Sequence, residues 1–254
     1  MIRIAAVGDI HMAPETRGTL RPAFETLPDC ADVLLLAGDL TRHGTPEEAR
    51  VVAEEIRDLG VPVVAVLGNH DHHADRPEEV TAVLEDAGAQ VLEGSGVVVP
   101  CDGARVGVAG TKGFGGGFVG RCAGEFGEPL MKEFVRYTRR CADNLRTSLE
   151  QLGEQGCDVR IALTHYSPVP ETLAGEPLEI YPFLGSYLLA EAVDTAGADL
   201  AVHGHAHAGT ENGMTSGGVR VRNVAQPVIG RAFHVYHVHA RRPVPAGAPG
   251  GHPG

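Results

Sequence analysis

Five times along this chain a short apolar run stops abruptly at small residues and metal-ligand side chains. Residues 2–7 lead into Gly8, Asp9 and His11, and residues 33–37 into Gly38 and Asp39. Residues 61–67 lead into Gly68, Asn69, His70 and Asp71, and residues 161–163 into Thr164 and His165. Residues 200–202 lead into His203, Gly204, His205 and His207. Unbroken Val, Ile, Leu and Ala runs are the mark of strands buried on both faces. In open α/β sheets the ligand crevice lies beyond the carboxyl ends of such strands. A fold that lays these runs side by side therefore brings three carboxylates, an amide and several imidazoles to one edge, which is the makings of a metal site.

The segments between the runs supply the helices. Residues 46–59 read most clearly: Thr45 can cap, Pro46 suits the first helical position, and Glu47 and Glu48 favour the positive end of the helix dipole. Residues 77–87 repeat the device, and 17–27, 128–154 and 184–196 also read as helical. Alternating strand and helix implies right-handed crossovers and a largely parallel sheet. From residue 91 onward, strands at 91–100, 106–109, 219–224 and 232–238 suggest a second, mixed sheet packed on the first. Residues 111–127, rich in glycine, and 166–183, with four prolines, fit neither helix nor strand and are expected to face a ligand. One domain is expected over 1–239, followed by a disordered Pro/Gly-rich tail at 240–254.

Composition closes off other classes. With 43% hydrophobic residues the chain can fill a core. A net charge of −12 argues against nucleic-acid or anionic-membrane partners, both of which need basic surface. The five cysteines are scattered and odd in number, a pattern of reduced thiols, and no run is long enough to span a bilayer. The expectation is a soluble cytoplasmic protein of unspecified oligomeric state.

Asp9 and His11 are two apart, so on an extended segment they face the same way. Asp39 can bridge two ions through its two oxygens. Asn69 offers a carbonyl oxygen, and His165, His205 and His207 offer imidazole nitrogens. Seven candidate ligands suit two ions, and mixed carboxylate and imidazole ligation suits Mn, Fe or Zn. His203 is expected to support the ligands, His72 and His73 to be solvated, and Tyr166, Tyr181 and Phe183 to wall the pocket or anchor their loop.

Taken in order, Asp-x-His, Gly-Asp, Gly-Asn-His-Asp, a lone His and Gly-His-x-His resemble the motifs of the calcineurin-like metallophosphoesterase superfamily, over residues 2–238. The resemblance implies a four-layer αββα sandwich, two mixed β-sheets flanked by helices, with a bimetal site at the C-terminal ends of the strands. It implies Asp9, His11, Asp39 and His207 on one metal and Asp39, Asn69, His165 and His205 on the other. It implies hydrolysis of a small soluble phosphate ester by a hydroxide bridging the two metals. His70 would be the general acid and Asp71 would orient its ring. The stretch from Gly38 to Glu48 looks most like the bacterial small phosphodiesterases, which favours a diester substrate. The protein phosphatases of the superfamily carry Asp-Arg-Gly where this chain has Arg42, His43 and Gly44, so His43 takes the place of an arginine at phosphate. Asn69, His43, Lys112, Phe114 and Arg121 are the expected substrate contacts. The alternatives are a phosphomonoesterase on a small metabolite and a non-catalytic metal-binding scaffold.

Overall fold

The computed structural model describes residues 1–101 and 103–240; the Pro/Gly-rich stretch beyond them lies outside the described residues. The chain begins with β1 (Ile2–Val7), α1 (Arg21–Phe24), α2 (Leu27–Cys30), β2 (Val33–Ala37), α3 (Pro46–Ile56), β3 (Val63–Val66), α4 (Pro77–Asp86) and β4 (Ala89–Val91). It continues through β5 (Ser95–Cys101), β6 (Ala104–Thr111), β7 (Gly117–Phe118), β8 (Arg121–Cys122), α5 (Pro129–Glu154) and β9 (Val159–Thr164). The last third holds α6 (Tyr181–Leu184), α7 (Tyr187–Ala196), β10 (Leu200–His203), β11 (Asn212–Met214), β12 (Arg220–Asn223), α8 (Gln226–Ile229) and β13 (His234–Val238).

Two mixed sheets result. The first has the order β13-β1-β2-β3-β4, the second β11-β12-β10-β9-β6-β5, and β7 and β8 form a separate ribbon. Strands β1 to β4 run parallel, as do β6, β9, β10 and β12; β13, β5 and β11 join antiparallel at the edges. Alternation of side chains across each strand divides its apolar residues between two cores. Val33, Leu35, Val64 and Val66 meet Val106, Val108, Ile161 and Val202 between the sheets. Leu34 and Leu36 face Val52, Ile56, Val80 and Leu84 of α3 and α4 on one outer side. Ala109 and Ala162 face Leu145, Leu149, Leu189 and Val193 of α5 and α7 on the other. The four layers are helix, sheet, sheet, helix, as expected.

Four local expectations are corrected. The helix at 17–27 is two single turns, because Pro28 lacks an amide hydrogen and its ring would collide with the carbonyl of the preceding turn. The strand at 91–100 is divided: β4 ends at Val91 in the first sheet, and the chain crosses at 92–94, with Gly94 at φ +65°, to begin β5 in the second. The strand at 232–238 pairs with β1 in the first sheet, not the second. The glycine-rich segment 111–127 carries the β7–β8 ribbon.

Candidate metal centre

All five clusters reach one edge of the sandwich, following β1, β2 and β3 of the first sheet and β9 and β10 of the second. Two groups form there. Ligand atoms of Asp9, His11, Asp39 and His207 lie within 4.8 Å of one another, and so do those of Asp39, His165 and His205. Asp39 belongs to both. Asn69 joins the second group, its Oδ1 2.9 Å from Nε2 of His165. Within the first, Nε2 of His207 is 2.8 Å from Oδ1 of Asp9 and 3.5 Å from Nε2 of His11.

The backbone is bent to present these groups. Asp9, His11, Asp39 and His205 have φ of 55°, 42°, 51° and 71°, a region disfavoured for residues other than glycine. Such local strain persists only where surrounding structure enforces it, and it clusters at functional sites. The neighbouring glycines make room: a Cβ on Gly68 would run into the Asp39 carboxylate, and one on Gly204 into that of Asp9. Backbone amides then orient both acids, from His70 to Asp39 Oδ1 at 2.8 Å and from His205 to Asp9 Oδ2 at 2.9 Å.

Imidazoles are oriented from behind. Nδ1 of His165 lies 2.8 Å from the Ala37 carbonyl, so it carries the hydrogen and leaves Nε2 for the centre. Nδ1 of His70 donates likewise to the Arg42 carbonyl at 2.9 Å, leaving its Nε2 3.9 Å from Oδ2 of Asp39. His203 is fully buried between the Gly204 carbonyl and the Thr172 hydroxyl, at 2.7 and 2.8 Å, which is a support and not a ligand position. These carbonyls and Thr172 carry no sequence signal, since backbone atoms and a loop hydroxyl recur everywhere.

Electrostatics without metal reflect crowding. Burial opposes ionisation of Asp39, but the charge and hydrogen bond of His165, with the His70 amide, hold its carboxyl well below the usual range. His165 is held above its usual value: burial works against protonation, and the Asp39 charge outweighs it. Burial, and then the charge of His165, push His205 down to about 3. Burial also lowers His11, whereas the hydrogen bond to Asp9 raises His207. Two carboxylates, an amide oxygen and four imidazoles form a donor set that fits first-row divalent ions.

Several residues fall elsewhere than expected. Asp71 does not orient the His70 ring. It is fully buried, and its oxygens accept from the amides of Leu40, Thr41 and Gly68 and from the Thr41 hydroxyl, tying the loop after β2 to the loop after β3. Its pKa is raised by burial and by the Asp39 charge. His43 turns to Glu48, Nδ1 to Oε1 2.9 Å. Lys112 is buried, its ammonium 4.9 to 5.4 Å from the rings of Phe114, Tyr137 and Tyr166, and does not stand open to a substrate. Phe114 belongs to that aromatic cluster, and Arg121 lies exposed on the β8 ribbon. His72 is half-buried, and its Nε2 is buried without a hydrogen-bond partner among the described residues. Tyr166 does wall the centre, its ring 4.3 Å from that of His205, and the Phe183 carbonyl lies 3.3 Å from His205 Nε2.

Comparison with known proteins bears on the fold and the family. A probable cyclic nucleotide phosphodiesterase of Synechococcus is 30% identical over 92 residues, covering 32% of this chain and 34% of the relative. The match thus spans about a third of that relative's length. Among solved structures, phosphopantetheinyl hydrolase from Mycobacterium tuberculosis superposes with a TM-score of 0.68 at 17% identity, covering 97% of this chain and 98% of that one. The protein TT1561 of Thermus thermophilus superposes with a TM-score of 0.53 at 19% identity, covering 87% and 88%. At these identities the likeness is one of fold. The sequence profile of the calcineurin-like phosphoesterases matches residues 2–209, and the chain belongs to that family.

Proposed function

We propose that this chain hydrolyses a small phosphate ester, a diester in preference to a monoester, using two divalent ions held by the two ligand groups. The observation that carries the reading is the sharing of Asp39 between those groups. Manganese, iron or zinc suits the mixed oxygen and nitrogen donors. Bound there, the ions supply Lewis acidity that acidifies a water and neutralises charge on the phosphoryl oxygens. The chain's own residues do the rest. Asp9 and Asp39 are held in place by amide hydrogen bonds, so they do not need to reorganise during reaction. His70 keeps Nδ1 on the Arg42 carbonyl, which leaves Nε2 as the atom to serve the departing alkoxide as general acid. The preference for a diester rests on the segment from Gly38 to Glu48 and on the name of the Synechococcus relative.

The test is a screen of metal-reconstituted protein against aryl mono-, di- and cyclic phosphate esters, with His70→Ala alongside. Wild-type turnover should require metal. The variant should retain its metal while kcat falls by about 100-fold or more. Bound metal with no turnover on any ester would favour the non-catalytic scaffold instead.

A further inference from the structure

Beside the centre opens a cleft of about 330 Å³ whose walls are almost entirely apolar. Leu130, Met131 and Phe134 of α5 line it with Pro182 and Phe183 of α6 and Gly116, and Glu128 is its one charged lining residue. Leu130 is 83% exposed, Phe183 61% and Met131 41%. Large apolar side chains left open together at one place mark a binding surface, because each would be more stable out of water.

The cleft adjoins the centre through Phe183. Phe183, which lines it, places its carbonyl 3.3 Å from His205 Nε2. On the other wall, the Phe134 ring lies 5.1 Å from Phe114, Phe114 lies 5.6 Å from Tyr166, and Tyr166 lies 4.3 Å from His205. An aromatic track therefore runs from the imidazoles of the second group to the cleft. The Lys112 ammonium packs on this wall, 4.9 Å from the Phe114 centroid. The amide of Gly116 bonds the Pro182 carbonyl at 2.7 Å and joins the two sides. A volume at the lower end of the small-molecule range suits a ring system or a short hydrocarbon chain, not a folded partner.

We propose that this cleft receives an apolar substituent of the ester, so that the substrate is an amphiphilic phosphate compound with its hydrocarbon or ring portion next to the phosphate. The inference rests on the phosphoesterase reading of the centre. It assigns specificity to residues 130–134 and 182–183, outside all five ligand clusters.

Calorimetric titration of the metal-loaded protein with methylphosphonate and hexylphosphonate tests it without requiring turnover. Each methylene entering the cleft should tighten binding by up to about threefold to fourfold, so hexylphosphonate should bind at least about tenfold more tightly. Met131→Asp, or Leu130→Asp at the more exposed position, should abolish that difference. Equal binding of the two phosphonates by the wild type, or a difference that survives both substitutions, would overturn the proposal. Dimerisation in light scattering that either substitution removes would assign the cleft to a second copy of this chain and overturn it as well. Chain-length-dependent binding without hydrolysis of any ester would leave the cleft assignment standing and count against the catalytic reading alone.

Discussion

Asp71 follows His70 in sequence, and adjacency alone suggests that one orients the other. The fold gives the carboxylate a different task. It gathers three amides and a hydroxyl from the two loops that carry Asp39 and Asn69, and so fixes the spacing between ligands on separate strands. Removing it would leave buried donors without an acceptor, at about 1–3 kcal/mol each. Asp71→Ala should therefore lose about 3 kcal/mol or more of stability, a fall in Tm of about 6 °C or more for a chain of this size. Calorimetry of the metal-free variant checks this. Unchanged stability with reduced turnover would return Asp71 to the role of aligning the His70 ring. Positions such as Gly68 and Gly204 make the same point, since their small size is needed by the carboxylates they face and not by their own turns.

Among the elements, α3 shows how far local sequence determines local structure. Thr45 Oγ1 accepts from the Glu48 amide at 3.2 Å, the expected cap, and Glu48 also accepts from the Thr45 amide at 3.4 Å, a return bond the sequence reading did not include. Thr45→Ala should cost about 1 kcal/mol. Urea denaturation should show this as a lowered midpoint with an unchanged slope, whereas an unchanged midpoint would contradict the capping role. The central strands were equally legible, because runs such as Val33–Ala37 admit no polar face and must be covered on both sides. The crossing at 92–94 was not: Glu93, Gly94, Ser95 and Gly96 interrupt the apolar run, but only sheet pairing shows that Val91 and Val97 belong to different sheets. The ribbon at 117–122 was hidden for a related reason: glycines signal a turn but not what its arms pair with. His72 is the residue-level counterpart, a polar side chain drawn inward by packing that no periodicity announces.

Across the whole molecule, the centre is the seam at which the two sheets meet. Asp9, His11, Asp39 and Asn69 come from the first sheet, and His165, His205 and His207 from the second, so neither sheet holds a complete ligand group by itself. The candidate ligand set was readable in sequence because each member follows a buried run. The cleft proposed to take the ester's apolar part was not readable there, since it is assembled from α5 and α6, whose residues look like ordinary surface or core in isolation. The central claim is that Asp39 joins two metal positions, and metal stoichiometry after reconstitution and desalting tests it most directly. Two ions per wild-type chain are expected and, because both positions share that carboxylate, fewer than one in Asp39→Asn. A single ion in the wild type, or two retained in the variant, would contradict it.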